Sequence, residues 1–394
     1  MPRSTSLLKD SIPKEPRRSS AKGAAPSKES LLIDAIDDVM GRRVLCTSLR
    51  RGQFAAAVAD RSPDKEVTCF FLDVFLAKQT LDAIGPKRPN VTVLCETDFP
   101  EGPFDTVAMP FLKSGEAELT RELLQQAYER LDIGGRLMAS TDNPEDTWLH
   151  EQLQLLFEKV TKRPQPRGVL YLALKTHALR RERNFTANFA FRDGKRLVHV
   201  VSRPSVFSHR KLDIGARALV EAVVSTRAVQ SGCRILDLGC GSGAVGIALA
   251  MRKPGVHVHA MDSNPRALQC TLHGAELNGL KVVSQPVKAV PGDSIADDEP
   301  STLSVQLDAT GHVRDRASYN LVVANPPYYS NWTITAIFVE AAARALKPGG
   351  RLFLVTKNAN WYRNNLPFVL SDVEVHPIRE YSIVTARQRG SSPS

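Results

Sequence analysis

The sequence lacks the features that would place it in a specialised class of protein. Its 394 residues contain no run of eighteen apolar residues, so no membrane-spanning helix is expected. The first twenty residues lack the apolar core of a secretory signal. The six cysteines show no paired spacing of the kind that binds a metal, and most of them lie in apolar stretches. We therefore expect a cytoplasmic protein with reduced core thiols, no metal site and no contact with a membrane.

The composition is that of an ordinary folded protein, with 42% hydrophobic and 24% charged residues. A chain of this length can form two domains, each with a core of its own. Strand and helix patterns alternate along the chain, which predicts parallel sheets flanked by helices.

The net charge of +10 is distributed unevenly. Residues 159–217 hold fifteen Lys and Arg against three acidic residues, and residues 1–30 hold seven against three. Because the first thirty residues are polar and contain Pro and Ser, we expect a disordered basic tail there. The charge in the later stretch is costly without a partner, which favours contact with a polyanion over a merely solvated basic face.

The second half of the sequence repeats the first half. The segment ERLDIGGRLMAST at 129–141 matches RALKPGGRLFLVT at 344–356, with the glycine pairs aligned at an offset of 215. Upstream, Val44 matches Ile235 at an offset of 191. A duplicated α/β fold is the simplest account, and it predicts two tandem Rossmann-like domains.

The offset between the copies also predicts an insertion. Asp73 is matched with Asp262 at an offset of 189, so about 26 extra residues are expected between Asp262 and Tyr319. This insertion contains the alternating segment LSVQL and turn signals with glycine. Either a hairpin beside the site or a loop without a function fits such a pattern.

The loop after the first strand distinguishes the two copies. The second copy reads DLGCGSG from Asp237, whereas the first copy reads CTSLRRG from Cys46. The glycines of the second copy are Gly239, Gly241 and Gly243. Such glycines let the backbone approach a ligand closely at a helix N-terminus, and Arg50 and Arg51 would block that approach in the first copy. We therefore expect only the second copy to bind a cofactor.

Two acidic residues favour S-adenosylmethionine over a dinucleotide as that cofactor. Asp237 would repel a pyrophosphate but can help to hold the ammonium group of a methionine. Asp262 ends the strand VHVHAMD, where an acid can accept hydrogen bonds from both ribose hydroxyls. An acid at this position also suits NAD, so Asp262 discriminates little by itself.

A short apolar strand at 320–324 delivers Asn325 to its C-terminal end, because Pro326 cannot donate to a sheet ladder. In an open parallel sheet, ligands bind at that end of the strands. The Asn325 side-chain oxygen and the Pro326 carbonyl can accept hydrogen bonds from an exocyclic amine, and Pro327 stiffens the loop. Tyr328 offers an aromatic face to a flipped-out base, although packing in the core would also explain it.

With these motifs the sequence resembles a known family. ILDLGCGSG, AMDSNPRAL and VVANPPYY resemble the motifs of class I AdoMet-dependent methyltransferases that act on exocyclic or amide nitrogens. The degenerate first copy and the segment RPSVFSHRKLDIGARAL narrow the resemblance to the bacterial ribosomal RNA guanine-N2 methyltransferases. This resemblance covers roughly residues 31–388 and implies that Phe207 and Asp213 cover the cofactor. Tyr328 and Tyr329 depart from it, because the nearest family members have Phe followed by His there.

The repeat and the resemblance together predict the domain organisation. A disordered tail over 1–30 precedes a degenerate methyltransferase-like domain at 31–180. A basic connector at 181–210 then leads to a catalytic AdoMet-dependent domain at 211–388.

The resemblance implies transfer of a methyl group from S-adenosylmethionine to the exocyclic N2 amine of a guanine in ribosomal RNA. It also implies an acid beside the adenine, for which Asp293 and Asp308 are the candidates. We expect a monomer that binds ribosomal RNA or a ribosomal subunit. Methylation of a protein glutamine or of another nucleobase amine remains an alternative, and so does a non-catalytic RNA-binding assembly factor. The intact loop from Asp237 to Gly243 disfavours the assembly factor, because a relic site loses such residues.

Overall fold

The computed structural model describes residues 27–287, 299–327 and 332–390. Within these ranges the chain forms two compact units, which divide between Phe185 and Thr186. This boundary lies inside the connector predicted at 181–210. Helix α1 spans Ser27–Asp34, so the last residues of the expected tail are helical, while residues 1–26 lie outside the described part.

Helices and strands alternate along most of the first unit. In order they are α1 (Ser27–Asp34), β1 (Arg43–Thr47), α2 (Gln53–Arg61), β2 (Glu66–Phe71), α3 (Val74–Ile84), β3 (Val91–Cys95), β4 (Phe104–Phe111), α4 (Ala117–Arg130), β5 (Leu131–Thr141), α5 (Trp148–Gln154), β6 (Val160–Gln165) and β7 (Gly168–Leu174). The strands form one sheet in the order β3-β2-β1-β4-β5-β7-β6. All neighbours are parallel except β7, which runs antiparallel to β5 and β6.

The second unit begins with a hairpin and then repeats this pattern. Its elements are β8 (Ala187–Asp193), β9 (Arg196–Ser202), α6 (Ile214–Ser225), β10 (Arg234–Leu238), α7 (Ala244–Ala250), β11 (His257–Asp262), α8 (Pro265–Leu277), β12 (Lys281–Val282), β13 (Thr302–Leu307), β14 (Tyr319–Ala324), α9 (Trp332–Ala345), β15 (Leu346–Thr356), α10 (Ala359–Asn365), β16 (Ser371–Ile378) and β17 (Tyr381–Arg387). The main sheet has the order β12-β13-β11-β10-β14-β15-β17-β16. It is the order of the first sheet with one short strand, β12, added at the edge. The prediction of two tandem Rossmann-like units is therefore confirmed.

Strands β8 and β9 form a separate antiparallel sheet that packs on the second unit. Val198 and Val200 are fully buried in the same cluster as Ile247 of α7 and Ala275 of α8. Residues 187–202 of the predicted connector thus belong to the fold of the second unit. Within the described ranges, no helix combines the length and the apolar character needed to cross a membrane.

The central strands of the second sheet are buried on both faces, as parallel sheets between helices require. Every residue of β10 is buried. Because side chains alternate along a strand, Ile235 packs with the cluster of α6 and α7, whereas Leu236 packs with the cluster of α9. Asp237 shares the face of Ile235 and therefore points toward α7.

The registers of the two sheets correct one detail of the predicted repeat. Cys46 pairs with Cys69 on β1 and β2, and Asp237 pairs with Ala260 on β10 and β11, so the offset of 191 holds for both strands. The matched positions of α3 and α8 keep this offset as well.

The N-cap of α3 is Asp73 and the N-cap of α8 is Asn264, which are 191 residues apart. The expected match of Asp73 with Asp262 is therefore wrong by two residues. The counterpart of Asp262 in the first unit is Phe71, which is buried and cannot bind a hydroxyl group.

The insertion also differs from the expectation. Phe71 pairs with Cys95 and Asp262 pairs with Leu307, so the offset has risen to 212 at β13 before it reaches 215 at β14. The second copy therefore has 24 extra residues, whereas about 26 were expected. Of these residues, 21 precede β13 and three follow it. The LSVQL segment is β13, a parallel strand beside β11, so neither of the two alternatives, a hairpin or a loop, describes this segment.

Candidate cofactor and methyl-transfer site

The predicted site residues of the second unit lie at one edge of its sheet. Strand β10 lies between β11 and β14, and all three are parallel. The glycine loop at 239–243 follows β10, Asp262 is the last residue of β11, and Asn325 follows the last residue of β14. The C-terminal edge of a parallel sheet is where ligands bind in this class of fold.

The glycine loop has the backbone conformation that its sequence predicts. Gly239, Gly241 and Gly243 have φ values of +68°, +56° and +75°, a region that residues with a side chain rarely adopt. A Cβ on Gly239 would lie 2.9 Å from the Phe338 ring, and one on Gly243 would lie 2.7 Å from Thr271. A Cβ on Gly241 would meet no atom of the described residues within 4 Å. Among these residues the loop therefore leaves the backbone of Gly241 uncovered, as a cofactor cradle requires.

Asp237 is buried beneath this loop. It is 3% exposed, and its Oδ2 accepts a hydrogen bond of 2.9 Å from the N–H of Gly246. Burial raises the pKa of Asp237 to about 7, the Gly246 bond opposes that rise, and the negative charge of Asp262 adds to it. A cation would lower this pKa again, so the position suits the ammonium group of a methionine.

Asp262 connects the loop to the end of β11. Its Oδ2 accepts from the N–H of Gly241 and its Oδ1 accepts from the N–H of Asn264, both at 2.9 Å. A carboxylate can accept about four hydrogen bonds, so this anchoring is compatible with a further role toward ribose hydroxyls. Cys240 and Leu268 form a small apolar cluster with Leu307 beside it, which suits a flat adenine ring.

Asn325 is held by a residue 112 positions away in the chain. Its Nδ2 donates to Oδ2 of Asp213 at 2.9 Å, and the same oxygen accepts from the N–H of Ala216, also at 2.9 Å. Asp213 is thus the N-cap of α6 and the partner of the predicted catalytic amide. Pro326 is buried and Pro327 is exposed. Tyr328 and its neighbour Tyr329 lie outside the described residues.

Sequence reasoning missed the contact between Asp213 and Asn325, because no local pattern indicates it. It also missed that Asn264 donates from Nδ2 to the carbonyl and to the hydroxyl of Ser205, both at 3.0 Å, which fixes the start of the segment leading to Asp213. The side chain of Phe207, in the same segment, is 59% exposed. Its predicted contact with the cofactor stays a prediction.

Three aromatic residues and one of the predicted acids of the second unit have structural roles. Trp361 and Tyr362 are buried in the core, and Trp332 stacks on Trp361 with ring centroids 5.4 Å apart. The Asp308 carboxylate accepts from the backbone N–H groups of Thr310 and His312, so it stabilises its own turn. Asp293, the other candidate for the adenine contact, lies outside the described residues.

Part of the basic stretch at 159–217 is neutralised within the first unit. Arg163 forms an ion pair with the carboxylate of Asp38, and Arg167 forms one with the carboxylate of Asp34. Two further pairs are longer, Arg180 with Glu158 at 3.9 Å and Arg183 with Glu118 at 3.8 Å. The exposed Arg192, Lys195 and Arg196 surround the turn of the β8–β9 hairpin. This hairpin tip is therefore a better candidate for RNA contact than the stretch as a whole.

A family model and several known proteins match part of this chain. Residues 197–384 match the family model of the methyltransferase small domain. A ribosomal RNA small subunit methyltransferase C of Chromohalobacter salexigens is 35% identical over 159 residues, which are 39% of this chain and 40% of that protein. A ribosomal RNA large subunit methyltransferase G of Magnetococcus marinus is 34% identical over 39% of this chain and 36% of that protein. The chain thus spans about two fifths of the length of these relatives.

A solved structure resembles the chain over nearly its whole length. It is a 16S rRNA N2 methyltransferase of T. thermophilus in complex with AdoMet and guanosine, with a TM-score of 0.74, 21% identity and coverage of 93% of both chains. At this identity the likeness shows the fold. Residues 197–384 of this chain therefore resemble the methyltransferase small domain, and S-adenosylmethionine, which the similar solved structure contains, is the cofactor that the site suits.

Proposed function

We propose that this chain transfers a methyl group from S-adenosylmethionine to the exocyclic N2 amine of a guanine in ribosomal RNA. The observation that carries the proposal is the orientation of Asn325, whose Nδ2 is bound to Asp213 at the edge that also holds the glycine loop and Asp262. The two relatives are ribosomal RNA methyltransferases, one of the small and one of the large subunit, and the similar solved structure contains guanosine.

The cofactor would lie across the C-terminal edge of β10 and β11. We assign the ammonium group to Asp237, the ribose hydroxyls to Asp262 and the close backbone approach to Gly239, Gly241 and Gly243. Asp213 stays a proposed cofactor contact as well. When bound, S-adenosylmethionine supplies an electrophilic methyl group.

The residues after β14 would make the amine a better nucleophile. The lone pair of an exocyclic amine is delocalised into the ring, so the nitrogen must become tetrahedral before it can attack. The Asn325 Oδ1 and the Pro326 carbonyl would accept hydrogen bonds from the two N–H groups in that geometry, and Pro327 would restrict the loop. Preorganised partners of this kind contribute roughly 3 kcal/mol each. Tyr328 would stack on the flipped-out base, a contact of about 1–3 kcal/mol.

The RNA would be held by contacts that carry no base specificity. The Arg192, Lys195 and Arg196 side chains at the hairpin tip are exposed and suited to phosphate oxygens. We assign the first unit, which resembles the second but lacks the glycine loop, to RNA binding as well.

The test is a map of methylated nucleosides in 16S and 23S ribosomal RNA from cells with and without this protein. We expect loss of one N2-methylguanosine, which the purified protein and S-adenosylmethionine restore on naked RNA or on the assembled subunit. The substrate assignment is wrong if guanine methylation is the same in cells with and without the protein while a protein glutamine loses its methyl group in the cells without it.

A further inference from the structure

Asp213 is hydrogen-bonded to Asn325, a contact that is separate from the predicted contact of Asp213 with the cofactor. We propose that Asp213 is a positioning residue that fixes the amide orientation of Asn325, so that the side-chain oxygen faces the substrate amine. This inference rests on the proposed function of the site and adds one residue to its machinery.

The two ends of the Asn325 amide differ in what they can do. Oδ1 accepts hydrogen bonds and Nδ2 donates them, whereas an ionised carboxylate only accepts. With Nδ2 at 2.9 Å from Asp213, a flip of the amide would bring two oxygens into contact. The last side-chain torsion of asparagine is otherwise broad and roughly two-fold, so the amide needs a partner to stay oriented. A flipped amide would direct its own N–H groups toward the N–H groups of the substrate amine. Because both are donors, no hydrogen bond would form between them.

Asp213 is itself held in place on two sides. It caps α6 through the N–H of Ala216, and α6 is anchored by the fully buried Ala218 and Leu219. The segment before it is tied to the end of β11, because Asn264 donates to the Ser205 carbonyl at 3.0 Å. A shift of about 1 Å in a positioning group can reduce catalysis about 10²-fold, so this double anchoring matters for the reaction.

Both hydrogen bonds end on the same oxygen of Asp213, which makes its two roles separable by substitution. Asp213→Asn can place an amide oxygen where Oδ2 lies and keep both bonds. Asp213→Ser keeps a good N-cap residue, but its hydroxyl is too short to reach Asn325. Glu221→Ser is the matched control, because it removes an exposed carboxylate from the same helix.

The experiment measures methyl transfer at saturating S-adenosylmethionine and RNA for these three variants. We expect the turnover of Asp213→Ser to fall at least about 10-fold below that of Glu221→Ser. The turnover of Asp213→Asn should be at least about 10-fold above that of Asp213→Ser, because the positioning bond is retained. Equal turnover of Asp213→Ser and Glu221→Ser would overturn the proposal, and so would an Asp213→Asn variant as slow as Asp213→Ser.

A second measurement does not depend on catalysis. The thermal unfolding midpoints of Asp213→Ser, Asn325→Ala and the double variant form a cycle that tests the contact itself. If the pair is in contact, the shift of the double variant is smaller than the sum of the single shifts; additive shifts would overturn it. Wild-type protein that methylates no RNA would refute the proposed function, while this cycle would still decide whether the pair exists.

Discussion

In the first unit, the loop after β1 contains Arg50 and Arg51, both exposed, and ends in one glycine, Gly52, with φ of +64°. In the second unit, the corresponding loop contains three glycines with positive φ, and no described residue would contact a Cβ at Gly241. The sheets on which these loops lie have the same strand order, apart from β12. At this edge the two copies therefore differ in the loops that follow the strands and not in the order of the strands.

The loop of the first unit is held by a carboxylate of the same unit. Glu29, on α1, is fully buried, and its Oε1 accepts from the Ser48 hydroxyl at 2.9 Å and from the Leu49 N–H at 2.8 Å. Burial raises the pKa of Glu29, and the bond from Leu49 opposes that rise. At the same offset of 191, the second unit has Val220, which is apolar. An internal acid thus lies against the loop of the first unit, whereas we propose that the loop of the second unit binds the cofactor.

The comparison separates what the fold needs from what the ligand needs. The first unit has Cys46 in place of Asp237, Phe71 in place of Asp262 and, at the offset of 215, Pro110 in place of Asn325. The first unit still forms its own buried core around β1 and β4. Sheet and core depend on apolar burial, whereas the predicted site depends on a few polar residues that burial does not require.

The largest expected effect is the loss of cofactor binding in Gly241→Arg. Arginine would be strained at a φ of +56°, and its side chain would fill the space in front of the loop. Calorimetry should give one S-adenosylmethionine per chain for the wild type and none for this variant. Arg50→Gly, in the first unit, should leave the value at one. A stoichiometry of two in the wild type would contradict the difference between the copies.

Asn325→Ala should reduce methyl transfer by about 10²-fold or more, the loss expected for one transition-state partner. The affinity for S-adenosylmethionine, measured by calorimetry, should stay nearly unchanged. Pro110→Ala changes the corresponding position of the first unit and should leave the turnover at the wild-type value. If the turnover of Asn325→Ala is similar to that of the wild type, the amine is activated by other residues.

Replacing Arg192, Lys195 and Arg196 with Ala should weaken RNA binding without a change in turnover at saturating RNA. Contacts with single-stranded phosphates contribute about −0.7 each to the log–log salt slope. Three lost contacts should therefore flatten the measured slope by up to about 2 and weaken binding by a few tens-fold at most.

The control for this variant is Arg163→Ala combined with Arg167→Ala. These arginines contact Asp38 and Asp34 in the first unit, so their removal should change the salt slope less. If both variants bind RNA with the wild-type slope, the basic stretch is a solvated surface.

The sequence predicts the parts of this fold that are local. Apolar runs followed by glycine or proline predict β10 and β14, and the register of the glycine pairs predicts the duplication. The alignment of Asp73 with Asp262 fails because an aspartate occurs both at a strand end and at a helix N-cap, two positions that sequence alone does not distinguish. The contact of Asp213 with Asn325 joins segments 112 residues apart, so only the tertiary structure contains it.

The smallest expected effect is a pH dependence of cofactor affinity, which requires the carboxylate of Asp237. Cys46, its counterpart in the first unit, has no carboxylate and cannot produce this dependence. Burial raises the pKa of Asp237 to about 7, so the protonated form predominates in the unliganded protein only below about pH 7. Its contribution to the free energy of unfolding is present below the ordinary pKa of an aspartate and is lost as the pH rises through about 7.

Cofactor affinity should change in the opposite direction, because only the ionised carboxylate attracts an ammonium group. Between about pH 6 and 7.5, the ionised fraction of a group with this pKa rises roughly tenfold, so the association constant from calorimetry should rise by up to the same factor. Asp237→Asn should bind more weakly and with a flat profile over this range, and Asp60→Asn, which removes an exposed acid of the first unit, should keep the wild-type slope. A flat profile in the wild type would mean that Asp237 is ionised throughout or does not face the ammonium group, and the assignment of the cofactor amine would have to move to another acid at this edge.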